Sequence, residues 1–392
     1  MNKKNKLIYR AVGLICSMST IAHSIASDTI AHQEVFSNLQ EAFSTQYVLP
    51  EKAKQVNELL NDESFRQKFA HYDDKKLFVK ELTSAIQTVL NDKHFRVIVP
   101  RSRPSNENNN LLENHLAALT QFRQGGFKDI SFFEGNVGYV RIDGFRAEDQ
   151  HQVDGLMTYF RTADAIIIDL RENGGGGKPV NYLSSYFLPD DTLIGKTYHR
   201  SKDVWLEHKS EHVKGEKRFD VPLFILTSDF TFSAAEAFAY NLQAIGRAKI
   251  VGEISGGGAH PITFLNLSGG IATIMPNRRS YNTITKTNWE GTGVIPDYQT
   301  DKEATLSKAK LLAKTAALKY RTELFDELET YLIDKCQPLT KQRDVNEIVS
   351  KLLHRKHIEQ FMVVGFAERL KSQGNHCGAT LLENANQALL SS

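Results

Sequence analysis

Residues 165–177 read AIIIDLRENGGGG. Ala165 to Ile168 is a continuous apolar run ahead of Asp169, rich in β-branched residues and without alternation, the pattern of a strand buried on both faces. It leads into Asn173 and four consecutive glycines, Gly174 to Gly177. A helix is expected from Pro179 to Phe187. Strand, glycine turn and helix in that order predict one unit of a layered α/β sheet.

Working outward, the same alternation extends over about residues 138–252. GYVRI at 138–142 reads as a strand and Val153 to Arg161 as a helix. Leu223 to Thr227 is a second buried strand, followed by an apolar helix from Ser233 to Ile245 and a strand at 249–252. Residues 262–267 and 270–275 look like a strand pair. The charged stretch 192–219, with Trp205 among Lys and His, predicts a hairpin or an insertion. Residues 29–90 carry apolar positions at helical spacing, including Phe78, Leu82, Ile86 and Leu90. A short strand at 95–99 ends at Pro100, a polar loop spans 102–110, and a short helix is expected at 111–122. From Ala304 the chain is helical to its end. The expected organisation is therefore residues 1–26 as a leader, 27–125 as a helical N-terminal domain, 126–300 as an α/β core and 301–392 as a helical extension.

Composition sets limits. The chain has 392 residues, 41% hydrophobic and 24% charged, an ordinary globular balance that excludes global disorder. Lys plus Arg is 48 against 46 Asp plus Glu, without the basic stripe of a nucleic-acid binder. Mean hydropathy is −0.36, which excludes a polytopic membrane protein. Lys3, Lys4, Lys6 and Arg10 precede an apolar stretch at 11–22 and the small residues Ser24 and Ala26. That is the pattern of a cleavable secretory signal, too short to span a bilayer. Its removal leaves a chain of net charge about −2, expected to be exported and to lack an integral membrane segment. A lipoprotein signal at Cys16 is disfavoured because Ile15 precedes it, where a small residue is wanted. Without Cys16, only Cys336 and Cys377 remain. In an oxidising compartment they either form one disulfide or stay as free thiols.

Three segments bear chemistry. The loop at 174–177 can point backbone N–H groups at an anion or a developing oxyanion. Neither the phosphate-loop spacing nor the dinucleotide pattern is present; Gly177-Lys178-Pro179 follows instead. The segment TFSAAE at 231–236 places Ser233 at a helix start. Ser233 and Glu236 match a capping box, the favoured reading of this segment taken alone; the functional reading is Ser233 as a nucleophile with the Ala234 N–H beside it. Glu290, in WEGTGVIPD at 289–297, could orient a base. Among 13 His, His94 after Asn91-Asp92-Lys93 and His260 after the 256–258 glycine loop are equal candidates by local sequence. His354 and His357, three apart, lack a third ligand, so no metal site is expected.

Taken together, GYVRI at 138–142, IIIDLRENGGGG at 166–177, LTSDFTFSAAEAFAY at 226–240, AKIVGEISGGGAHP at 248–261 and EGTGVIPD at 290–297 resemble peptidase family S41, the tail-specific or C-terminal processing proteases. The resemblance covers about 160 residues in the family's order. It implies a crotonase-like or ClpP-like core, Ser233 as nucleophile, and the N–H groups of Gly175 or Gly176 and of Ala234 as oxyanion hole. The family's larger branch uses a Ser–Lys dyad, but the loop here, Gly256-Gly257-Gly258-Ala259-His260, has no Lys. NDKHFRV at 91–97 and WEGTGVIPD are similar instead to the branch of the tricorn core and the interphotoreceptor retinoid-binding protein. That likeness implies a triad of Ser233, His94 and Glu290, a peptide or protein substrate and no cofactor. About 40 residues separate His94 from Gly138, too few for a PDZ domain. A non-catalytic binder of hydrophobic small molecules and a peptide-binding pseudoenzyme are the alternatives on this fold.

Overall fold

The computed structural model describes residues 32–100, 126–145, 150–177, 179–333 and 338–390. The expected leader, the polar loop at 102–110, the helix at 111–122 and Cys336 lie outside the described residues.

The first helices are α1 (His32–Thr45), α2 (Pro50–Asn61), α3 (Glu63–Phe69) and α4 (Lys75–Leu90). Asp62 and Asp74 cap α3 and α4, each carboxylate accepting two backbone N–H groups. Helix α4 stops at Asn91, which adopts the left-handed conformation that a C-terminal cap favours. Strand β1 (Arg96–Ile98) follows. The core then runs β2 (Phe127–Phe133), β3 (Val137–Ile142), α5 (Gln150–Tyr159), β4 (Ala165–Asp169), α6 (Pro179–Ser185), β5 (Leu193–His199), β6 (Val204–Lys209), β7 (Leu223–Thr227), α7 (Ala234–Ala244), β8 (Lys249–Gly252), β9 (Ile262–Asn266), β10 (Ala272–Pro276), β11 (Arg278–Tyr281) and β12 (Tyr298–Gln299). Four helices close the chain: α8 (Lys302–Ile333), α9 (Pro338–His354), α10 (Gln360–Ser372) and α11 (His376–Leu390).

The main sheet has the order β12-β8-β7-β4-β3-β2, parallel except for β2. Every residue of β4 is buried, because helices cover both faces. Ile166 and Ile168 pack with Ile225 and Ile250 against α5, α6 and α7. Ala165 and Ile167 face the other way, onto Ala309, Ala313 and Ala317 of α8. These alanines repeat every fourth residue and let the long helix approach the sheet closely. The first half of α8, which opens the expected C-terminal extension, is thus the second outer layer of the core. Its second half joins α9 to α11 around Leu328, Val345, Leu352 and Leu382.

Two smaller sheets flank the main one. Strands β11, β5 and β6 form the first, so the 192–219 stretch is a hairpin with an added strand. Strands β1, β10 and β9 form the second. There Arg96 pairs with Ile274, and Ile271 and Met275 enter the aromatic core of α1–α4 beside Phe36, Phe43 and Phe95. The N-terminal helices are therefore joined to the core by a shared sheet.

Candidate active site

Adjacent strands β4 and β7 end at the same sheet edge, where parallel α/β sheets commonly bind ligands. Their following loops are cross-linked. Ser228 Oγ donates to the Arg171 carbonyl at 2.6 Å, and Thr231 Oγ1 to the Leu170 carbonyl at 2.9 Å. The Phe232 N–H donates to the Asn173 carbonyl at 3.0 Å. Ser233 and the glycine loop are thereby held side by side.

Ser233 sits at the N-cap of α7 with φ 56° and ψ −117°. A non-glycine residue with positive φ is uncommon, and sharp strand-to-helix turns of this kind project a nucleophile from the sheet. Its N–H donates to Glu236 Oε2 at 2.8 Å. Glu236 is fully buried and does more than cap the helix. Its Oε1 accepts Ser255 Oγ and the Gly257 N–H, each at 2.6 Å, and its Oε2 also accepts the Gly258 N–H at 2.8 Å. Burial pushes the Glu236 carboxyl up, and these four donors pull against that. Ser255 Oγ accepts the Val294 N–H, so its own proton is free for Glu236. With donors on both oxygens and no acceptor beside it, the carboxyl group is ionised.

The four glycines divide their work. A Cβ on Gly175 would lie 2.8 Å from Ser233 Cβ, and one on Gly176 2.0 Å from the Phe145 carbonyl oxygen. The Gly175 N–H is taken by Asn173 Oδ1 at 2.8 Å. The N–H groups of Gly176 and Ala234 have no hydrogen-bond partner among the described residues, and both residues line a cavity of about 790 Å³ together with Ser233 and His94. Of the two glycines expected to donate to an oxyanion, Gly176 is the one left free.

The two candidate histidines occupy different places. His94 lines the cavity, its ring 4.6 Å from that of Phe232. Its Nδ1 is buried without a hydrogen-bond partner, and no hydrogen bond joins it to Ser233 among the described residues. Burial lowers its pKa to about 4; the Asp92 charge opposes this, while His260 and Arg96 add to it. The ring is therefore neutral at pH 7. His260 lies behind the cavity wall, 3% exposed, with Nδ1 2.9 Å from Asp92 Oδ2 and 3.6 Å from Glu290 Oε2.

Asp92 and Glu290 complete that cluster. Asp92 Oδ1 accepts the His94 backbone N–H at 2.9 Å, and Oδ2 accepts Tyr47 Oη–H at 3.1 Å. Burial acts to raise the Asp92 carboxyl, but the hydrogen bond and charge of His260 with the His94 N–H outweigh it and hold it low. Glu290 Oε2 accepts the Ala259 N–H at 2.5 Å, while Oε1 is buried without a partner. Burial raises its pKa to about 7, against the His260 charge and with the Asp92 charge. Ser233 and His94 thus share one cavity, whereas Glu290 faces His260. Asp92, His260 and Glu290 present ligand atoms within 4.8 Å of one another, close enough to hold a metal ion. The atoms that face one another already serve hydrogen bonds: His260 Nδ1 is paired with Asp92 Oδ2, which also accepts Tyr47 Oη–H, and Glu290 Oε2 accepts the Ala259 N–H.

Asp92, Asn173 and the hub role of Glu236 were not singled out from sequence. The Asp-x-His spacing at 92–94 was the available signal for the first. Glu236 resembled a local cap because the loop it ties down arrives about 20 residues later. Of the pair at 354 and 357, His354 ends α9 and approaches Glu216, whereas His357 lies beyond the helix and binds Asp164.

Fold and site together define an α/β layered domain that presents a serine at a helix N-terminus beside a glycine loop. Residues 136–300 match the model of Peptidase family S41. The carboxyl-terminal-processing protease of Synechocystis sp. is 30% identical over 165 residues, 41% of this chain and 37% of that protein. The tail-specific protease of Haemophilus influenzae is 28% identical over 123 residues, 30% of this chain and 17% of that protein. The matched stretch thus spans well under half the length of these curated relatives. Among solved structures, a candidate peptidase from Parabacteroides merdae superposes with a TM-score of 0.50 at 18% identity, covering 73% of this chain and 97% of that one. A lipoprotein from Streptococcus agalactiae gives 0.50 at 14% identity, covering 72% and 96%. These two likenesses establish the fold.

Proposed function

We propose that this chain is an exported serine peptidase acting by acyl transfer at Ser233. The observation that carries the reading is the convergence of Ser233, the neutral His94 ring and the unengaged N–H groups of Gly176 and Ala234 on one cavity. Ser233 Oγ attacks the scissile carbonyl while His94 takes its proton. Gly176 and Ala234 donate to the oxyanion, aided by the N-terminus of α7. Collapse of the intermediate breaks the C–N bond, and His94 returns the proton to the leaving amine. Water, deprotonated by the same imidazole, then releases the acyl group. Asp92 is the carboxylate that favours the imidazolium most directly, through its charge beside the ring. Glu290 acts from behind, holding Ala259 and His260 and so the glycine loop on which His94 rests. A Cβ at Gly258 would lie 2.7 Å from His94 Cε1, which supports that role.

Export is supported by the leader-like residues 1–26 and by Cys377, which is disulfide-bonded through a partner outside the described residues. Among the described residues no helix is long and apolar enough to cross a membrane.

Labelling of the folded protein with a serine-directed fluorophosphonate tests the reading. Loss of labelling in Ser233→Ala and in His94→Ala, with weakening in Glu290→Ala, is the expected result. Labelling that survives His94→Ala but not His260→Ala transfers the base to His260. A wild type that binds peptides yet is never labelled is a peptide-binding protein on a peptidase fold.

A further inference from the structure

The charge of the cavity wall is one-sided. Four permanent cations line it, Lys93, Arg96, Lys196 and Arg278, and no carboxylate does among the described lining residues. In a chain with 48 basic and 46 acidic residues, an unselected wall would carry both signs. Lys196 is matched by Glu207 at 2.8 Å. The other three have no carboxylate partner among the described residues. Lys93 Nζ donates to the Gly256 carbonyl at 2.7 Å, and Arg278 donates to the Ile262 carbonyl at 2.6 Å and to Asn277 Oδ1 at 3.3 Å. These contacts orient the cations without neutralising them.

The nearest acids leave these donors unpaired: their charge reaches the cavity from behind its wall, but they offer it no oxygen. Asp92 and Glu236 are buried behind the wall and are occupied by donors from His94, His260, Ser233 and the glycine loop. Glu290 is spent on Ala259 in the same way. The cations flank the serine from two separate elements: Lys93 and Arg96 come with His94 and β1, Arg278 and Lys196 from the β11–β5 sheet. A cleft with one sign of charge and low-dielectric walls concentrates its field on whatever enters.

Resting on the peptidase reading of Ser233, we propose that this cleft selects peptides with Asp or Glu side chains close to the scissile bond. Acidic side chains there exchange water for Arg and Lys donors that already lack anionic partners. Neutral peptides gain no such pairing, and basic ones are repelled.

Short fluorescein-labelled peptides differing only in Asp/Glu, Asn/Gln or Lys at the central positions, each with an amidated and a free C-terminus, test this by anisotropy on Ser233→Ala. At about 50 mM salt the acidic peptide should bind roughly tenfold tighter than its amide counterpart, an advantage shrinking severalfold at about 300 mM. Arg96→Gln, an exposed change, and Arg278→Gln should each lose at least about threefold for the acidic peptide and leave the amide one unchanged, with Arg278→Lys restoring most of it. Equal affinity across the three sequences overturns the proposal. So does binding that needs only a free C-terminal carboxylate, or an acidic preference that ignores both Gln variants. Binding is read without turnover. An acidic preference in a protein that fluorophosphonate never labels sinks the peptidase reading alone, and labelling without the preference sinks this proposal alone.

Discussion

Replacing Glu236 by Gln keeps the shape of the side chain and removes the charge. Each carboxylate oxygen accepts two donors: Ser233 N–H and Gly258 N–H on one, Ser255 Oγ and Gly257 N–H on the other. Turned one way, the amide NH₂ faces two backbone N–H groups; turned the other way, it faces the Gly257 N–H and Ser255 Oγ, which can accept from it but then leaves its own proton without the carboxylate. Each donor stranded in this fully buried place costs about 1–3 kcal/mol, so the gross loss is about 2–6 kcal/mol. Relief from burying a charge returns part of it, and about 3 kcal/mol of net destabilisation is expected. Urea unfolding at pH 7 measures this as a lower midpoint at unchanged slope. The fluorophosphonate rate reports separately on the 256–258 loop and the Ser233 turn, and it should fall in Glu236→Gln under conditions where the protein is still fully folded. A loss below about 1 kcal/mol would refute the reasoning: it would mean the native carboxyl is protonated, a state that Gln imitates at little cost.

Other expectations follow from the same geometry. The acid limb of the fluorophosphonate labelling rate should lie near pH 4, far below the ordinary His value of 6.5, because the buried His94 resists protonation; a midpoint at 6.5 would assign the base elsewhere. Glu290 has a folded pKa raised from 4.5 to about 7, so its stabilising contribution is complete below pH 4.5 and is lost as pH rises through 7. That rise corresponds to about 3 kcal/mol, and denaturant midpoints of Glu290→Gln should show a correspondingly flatter decline between pH 5 and 8 than the wild type. Gly176→Ala should unfold the loop or abolish labelling, since its Cβ would lie 2.0 Å from the Phe145 carbonyl oxygen, whereas Gly177→Ala, with nothing within 4 Å, should leave both melting temperature and labelling within error.

How much of this was legible in sequence depends on how local each feature is. Strand β4 declares itself because both its faces are covered, which makes Ala165 to Ile168 an unbroken apolar run. The glycine loop and the Ser233 turn follow from steric demands written into adjacent residues. Helix α8 was legible as a helix, but its place was not. Its stripe of Ala309, Ala313 and Ala317 gives no strong amphipathic signal, because small residues pack by closeness rather than by bulk. The histidines were indistinguishable for a different reason. His94 and His260 lie 166 residues apart and meet the same Asp92, one through its backbone N–H and one through its ring. Only the pairing of β1 with β10 decides which ring faces the cavity, and strand partners so distant in sequence leave no periodic trace.

That pairing also governs when the machinery exists at all. Arg96 finds Ile274, 178 positions further along the chain, and closures of such long range are intrinsically slow. Until it happens the serine turn can form on its own sheet, but the proposed base has no bed to lie in. On the proposed mechanism, a newly made chain therefore carries the nucleophile and the base as separate, inert pieces. The proposed activity appears only once β1 and β10 are joined.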